Sequence, residues 1–319
     1  MFRFMKGFNW KDSEPHLLML SKFIHGQESS YFVKWGEWEN VLNESPQNAI
    51  KRFVEEKMLI NADVETVVSY KYKVTDLKHL LRERKLPVSG TKDELVQRIV
   101  DAAKAGILKL TAGIELLVCT QLGHEIAERY VTSQKEKRLK IEQQIKDYLA
   151  KRMFKEASLT VANFEAEQVF ARGLGVDWKH YNPNRDVEIL KTIYDKKPEI
   201  LNQLDDSKLE FFRLAAGMML LWGESRATKW LPPDFETGLR LDQDTAARMF
   251  LFNAQSIATL KQFKEMGIKN VEVLGTSDSC ESCQKTVGKR YILSEAPTLP
   301  NPNCTHELGC RCVHLARTD

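Results

Sequence analysis

Apolar residues recur at intervals of three and four along most of the chain, a period that predicts a mainly α fold. Ser45-Pro46 supplies the clearest early start signal. Serine suits the cap, proline suits the first helical position, and Ile50, Phe53, Val54 and Met58 follow on one face. Between 71 and 106 two short stripes stand side by side: Leu77, Leu80 and Leu81, then Leu95, Val96, Ile99 and Val100. Leu86-Pro87-Val88-Ser89-Gly90 joins them as an extended link. Leu116, Val118 and Leu122 show no clean period. The charged stretch 131–154 then carries Ile141, Ile145, Tyr148, Leu149 and Met153 on one face, as a surface helix or half of a helical hairpin does. Helices are also predicted over Leu209–Trp222 and 245–266, the second capped by Asp242 or Asp244 and stopped by Gly267. Val271, Val273 and Leu274 read as a short strand running into the turn-rich Thr276-Ser277-Asp278-Ser279.

These segments predict a multi-domain chain. The expected division is a small N-terminal helical domain at 1–70, a helix-link-helix module at 71–106 and a helical region with a long charged helix at 107–180. A helical domain at 181–275 and a cysteine-rich α+β region at 276–319 follow. Gly, Asn and Pro concentrate at 172–186, which marks that stretch as an inter-domain joint. Tyr31, Phe32, Trp35 and Trp38 read as the core of the first domain, because only Lys34 is interleaved with them and a base-stacking platform needs more positive charge.

Charge narrows the function. The 319 residues include 47 Lys and Arg against 44 Asp and Glu, a net charge of +3, so any nucleic-acid surface is a local patch. The opening MFRFMKGFNW holds no uninterrupted apolar run or small-residue cleavage site. The longest apolar stretch, 214–222, is far short of the ~20 residues of a membrane span, so a cytoplasmic location is expected. In that setting the six cysteines do not read as a disulfide framework. Cys119 stands alone, and Cys280, Cys283, Cys304, Cys310 and Cys312 crowd the C-terminal region, which points to a local metal site.

Within 71–106 nine basic residues, Lys104 among them, face five acidic ones, an excess larger than that of the whole chain. Thr91-Lys92-Asp93-Glu94 has capping-box spacing. Gly90 allows a close backbone approach, and the free amides of a helix N-terminus attract phosphate with Lys92 beside them. The segment VTDLKHLLRERKLPVSGTKDELVQRI resembles a SAP domain in its leucine spacing, Leu-Pro link, Ser-Gly-Thr-Lys turn and Asp-Glu-Leu-Val-Gln-Arg helix start. That resemblance implies binding to double-stranded DNA through its backbone, with weak sequence preference. Carried onto matching positions, the contacts are Lys78, Arg82, Ser89, Gly90, Thr91, Lys92 and Arg98. The plainer reading is a helical hairpin that braces neighbouring domains.

The C-terminal cysteines run Cys280-x2-Cys283, Cys304 and Cys310-x-Cys312, with His306 and His314 nearby. A CxxC pair presents two thiolates to one tetrahedral zinc, and a second pair closes the site. The expected ligands of a structural zinc are Cys280, Cys283, Cys304 and Cys312, with Cys310 or His306 as substitutes. Reduced buried thiols without metal are the alternative. Residues 240–319 also resemble the C-terminal segment of phage Mu-type head-morphogenesis (minor capsid) proteins. The shared pieces are the 245–266 helix, Gly288-Lys289-Arg290-Tyr291, Pro297, Pro300 and Pro302, and Cys310-Arg311-Cys312. That likeness implies a prophage-related fold and names no catalytic group.

No catalytic constellation stands out. His124-Glu125-Ile126-Ala127-Glu128 starts like HExxH but ends in glutamate, so the second histidine ligand is missing. Phosphate-cradling GxxxxGK[ST], GxGxxG and GxSxG patterns are absent. Cys119 sits in apolar ELLVCTQL with no cation to activate it. The leading expectation is a DNA-binding accessory protein with a structural zinc and a protein partner for its C-terminal region. The alternatives are a metal-dependent nuclease using His306 or His314 and a prophage-derived structural protein.

Overall fold

A computed structural model describes residues 9–34, 36–102, 106, 111–233 and 235–318. The chain is mainly helical and divides into two units, Met1–Arg138 and Leu139–Asp319. No helix among the described residues is long and apolar enough to cross a membrane.

In the first unit, helices α1 (Glu14–Ser21), α2 (Ser30–Val33), α3 (Glu37–Leu42) and α4 (Pro46–Glu55) enclose a core that includes Met19, Leu20, Phe23, Phe32, Trp38 and Phe53. α4 starts where its signal lies, since the Ser45 hydroxyl accepts from the Asn48 amide at 3.3 Å. Ile50 and Phe53 are buried on it, Val54 faces solvent, and Met58 is buried beyond the helix end. Phe32 and Trp38 meet edge to face at 5.1 Å, as core aromatics do. Trp35 lies outside the described residues.

Strands β1 (Gln27–Glu28), β2 (Leu59–Asn61) and β3 (Leu116–Cys119) form an antiparallel sheet in the order β1-β3-β2. Leu59 pairs with Cys119, and Gln27 pairs with Leu117. The aperiodic stretch around Leu116 and Val118 is thus a strand too short to display its alternation. The chain leaves this sheet after β2 and returns at β3, so the helix-link-helix segment is an insertion between two hydrogen-bonded strands. Residues before and after the insertion share one sheet.

Helix α8 (Gln121–Ala150) begins ten residues before the charged stretch that predicted it, with the Thr120 hydroxyl accepting from the Gly123 amide at 3.1 Å. It gives Ala127 to the first unit's core and Ile145 and Leu149 to the second's. The second unit continues with α9 (Phe154–Ala166), α10 (Asn184–Asp195), α11 (Leu209–Trp222) and α12 (Gln243–Glu265). Asp242 caps α12 by accepting from the Thr245 amide at 2.6 Å, while Asp244 accepts from the Ala227 and Thr228 amides. Gly267, at φ +76°, stops the helix in the left-handed region that favours glycine.

Residues 172–186 lie within the second unit. Arg172 pairs with Glu165 at 2.8 Å and also donates to the Leu221 carbonyl, and the Trp178 indole donates to the Arg172 carbonyl at 2.6 Å. Gly, Pro and Asn here make a loop fastened to its own unit; the boundary between the units falls inside α8. Strands β4 (Asn270–Leu274), β5 (Arg290–Ile292) and β6 (Val313–Arg317) close the second unit as an antiparallel sheet in the order β5-β4-β6. Val271 and Val273 are buried, as the expected strand required.

Candidate nucleic-acid interface and thiol cluster

Helix α13 (Glu281–Gln284), with Cys280 at its N-cap, and the segment between β5 and β6 bring five thiols together. The sulfurs of Cys280, Cys283 and Cys304 lie within 4.8 Å of one another, and so do those of Cys283, Cys310 and Cys312. Cys283 belongs to both groups. Cys280 and Cys304 are 3.8 Å apart, and Cys283 and Cys310 are 3.9 Å apart. A tetrahedral zinc with Zn–S bonds of about 2.3 Å sets its sulfurs about 3.8 Å apart, so both edges suit such an ion. N–H donors already point at the sulfurs. The Thr305 amide reaches Cys280 at 3.4 Å, the Asn301 amide reaches Cys310 at 3.2 Å, and the Asn301 side chain reaches Cys283 at 3.7 Å.

The five thiols are not equivalent. Burial raises the Cys280 pKa, but hydrogen bonds from the Thr305 amide and from Cys283 outweigh it and bring it down to about 6. A hydrogen bond from Cys312 lowers Cys310 to about 6, against an opposing effect of burial. Cys312 is itself pushed up, first by that hydrogen bond and then by burial. Burial also raises Cys283 and Cys304. Hydrogen bonding thus favours the thiolate form at Cys280 in one group and at Cys310 in the other.

His306 stands beside this cluster with its ring engaged elsewhere. Its Nδ1 accepts from the Leu308 amide at 3.0 Å, and its Nε2 lies 3.0 Å from an Arg311 nitrogen and 3.3 Å from an Asp278 oxygen. His314 is buried between the Ser256 hydroxyl and the Pro297 carbonyl. Burial raises the Cys119 thiol to about 12, which suits a core residue. His124 makes an exposed pair with Glu128 one helical turn away.

In the first unit the inserted module consists of α5 (Val64–Lys71), α6 (Val74–Glu83) and α7 (Lys92–Ala102) around a core of Val68, Leu77, Leu81, Leu95, Val96 and Ile99. The Glu94 carboxylate accepts from the Thr91 amide at 2.7 Å, and the Thr91 hydroxyl accepts from the Glu94 amide at 3.4 Å. Those two bonds are the capping box. Gly90 precedes it at φ +122°, and a Cβ there would meet a Glu94 carboxylate oxygen at 2.4 Å. Lys92 donates to the Ser69 carbonyl at 2.6 Å, which ties α7 to α5. Arg98 reaches back to the Pro87 and Ser89 carbonyls at 2.7 and 3.1 Å and clamps the extended link. Lys78 and Arg82 lie one turn apart on α6, Lys78 half-buried and Arg82 exposed. Lys104 lies outside the described residues.

Residues 71–104 match the family model of the SAP domain. This segment is similar to a SAP domain. No curated protein and no solved structure matches the chain. The match to the SAP domain points to nucleic-acid binding. Its core reaches back beyond the matched span, because Val68 of α5 is buried within it. Ser69 belongs to the same extension. Two features escaped the sequence reading: the tie from Lys92 to Ser69, which no local pattern encodes, and the amide donors of Asn301. The turn-forming Asn301-Pro302-Asn303-Cys304 was the available signal for the second, since asparagine side chains bond to nearby backbone in such turns; here Asn301 accepts from the Asn303 amide at 2.9 Å.

Proposed function

We propose that the chain is a duplex-DNA-binding accessory protein that grips the sugar-phosphate backbone through its SAP domain and carries a structural zinc in its thiol cluster. The observation that carries this reading is the SAP match on a helix-link-helix with its own core and a capped, glycine-led turn. Arg82 and Lys78 have no protein partner among the described residues and supply positive charge. Ser89 and Gly90 supply backbone amides just before α7, where anions are favoured, while Thr91 shapes the turn through its bonds to Glu94. Lys92 and Arg98 hold that turn in place, and their remaining N–H donors are free to face phosphate. Backbone contacts of this kind imply weak sequence preference and strong salt dependence.

For the zinc, Cys280, Cys283 and Cys304 supply three ligands. The 3.9 Å edge from Cys283 and the Asn301 amide favour Cys310 as the fourth, with Cys312 donating to it from outside. Zinc bound there would join the start of α13 to the segment between β5 and β6.

The test is a titration of the full chain with duplex DNA at two salt concentrations, with zinc content measured on the same sample. Salt-sensitive binding with one zinc per chain is expected. Arg82→Ala should weaken binding uniformly across sequences and reduce the salt slope by about one. Unchanged binding would remove the SAP assignment of function. Divalent-ion-dependent cutting lost in His306→Ala would make the chain a nuclease instead. Co-sedimentation with capsid particles would test the likeness of residues 240–319 to head-morphogenesis proteins, which none of the comparisons supports.

A further inference from the structure

A cavity of about 440 Å³ in the second unit opens between one face of α12, the start of β6 and the first turn of α10. Phe252, Gln255, Ser256 and Thr259 line it at the spacing of a single helical face, and Arg185 and Arg311 line it from the other two elements. No carboxylate is among the lining residues. The carboxylates nearest in sequence to Arg185 are engaged elsewhere: Asp186 accepts from the Ser158 and Tyr181 hydroxyls, and Glu188 pairs with Lys261 at 2.6 Å. Arg311 spends one nitrogen on Asp278 at 2.6 Å, and a guanidinium has five N–H donors. Arg185 has no ion-pair partner among the described residues. Gln255 and Thr259 are half-buried, and neither side chain has a protein hydrogen-bond partner among the described residues. Half-buried polar groups of this kind are open to water and equally able to meet a ligand in the cavity.

We propose that this cavity binds a nucleotide phosphate, free or within a DNA strand. Two guanidiniums supply the charge and the forked donors that phosphate oxygens accept. The Gln255 amide and Thr259 hydroxyl add neutral donors. The Ser256 hydroxyl is already bonded to His314 and acts as wall rather than donor. Phe252 offers an aromatic ring against which a base can pack. The volume falls within the range of small-molecule sites, about 300–1,000 Å³. This site belongs to the second unit and uses none of the SAP residues, so it stands or falls separately from the SAP reading.

The experiment is calorimetric titration of the zinc-containing full chain with dAMP and, separately, with a short DNA duplex. The variants are Arg185→Ala, Gln255→Leu and, as a control, Arg82→Ala. Arg185 is exposed and unpartnered, so its truncation is expected to leave the fold intact; circular dichroism checks this. Binding of dAMP that weakens about tenfold or more in Arg185→Ala, and is unmoved in Arg82→Ala, supports a site for free nucleotide. If dAMP does not bind but duplex affinity falls by a similar factor in Arg185→Ala, the phosphate comes from DNA. The proposal is overturned if dAMP binds equally to wild type and Arg185→Ala, or if dAMP fails to bind at millimolar concentration and both proteins hold the duplex equally.

Discussion

Single residues in the SAP turn divide into those that hold it and those left free to reach beyond it. Gly90 shows the first kind. Its φ of +122° and the 2.4 Å approach that a Cβ would make to Glu94 mean that Gly90→Ala must both strain the backbone and push the capping carboxylate aside. The expected cost is about 1–3 kcal/mol in denaturant unfolding, with weaker duplex binding. Arg98 combines both roles, since its guanidinium clamps Pro87 and Ser89 and keeps other N–H groups spare. Arg98→Ala should therefore lower both stability and DNA affinity, whereas Arg82→Ala should leave stability within about 0.5 kcal/mol of wild type. Equal stability of all three variants would show that the clamp contributes nothing. The sequence exposed the cap at Thr91 and Glu94 because both partners lie within one helical turn. It concealed the engagement of Lys92 and Arg98, because a lysine or arginine in a string looks the same whether its partner is a phosphate or a carbonyl brought near by folding.

At the scale of elements, caps explain where helices begin. Asp63 accepts from the backbone amide and side chain of Thr66 at the start of α5, and these bonds hold its carboxyl below the usual range. A carboxylate whose pKa is lowered by folding stabilises the fold above its unfolded pKa and loses that contribution as pH falls through the folded one. Asp63→Ala should thus cost about 1 kcal/mol at neutral pH. The gap between variant and wild type should close once the pH drops below 3.8. A gap that stays constant under acid, followed by thermal unfolding across pH, would contradict the charged cap. α5 itself shows how an element is assigned to a body. Residues 64–71 fall outside most of the SAP match, yet Val68 completes its core, because α6 and α7 alone leave one apolar side uncovered.

For the molecule as a whole, the proposed zinc in the thiol cluster has the widest expected consequence. Ligand thiols must be deprotonated to bind, so zinc affinity should fall as the pH is lowered, and metal binding in such sites is folding energy. A strong chelator, or Cys283→Ser, should release the zinc and expose residues 276–319 to proteolysis, while Cys312→Ser should retain it. Full protection of that region after chelation would show that the reduced thiols pack without metal. Helical stripes, caps and the CxxC pair could be read from the chain because each depends on partners within one or two turns. The pairing of β3 with β1 and β2, the sharing of Cys283 between two groups of sulfurs and the fastening of residues 172–186 to their own unit could not. Each of these joins segments distant in sequence, and what selects them is the burial of apolar surface and the completion of backbone hydrogen bonds across the folded chain, quantities that no local window contains.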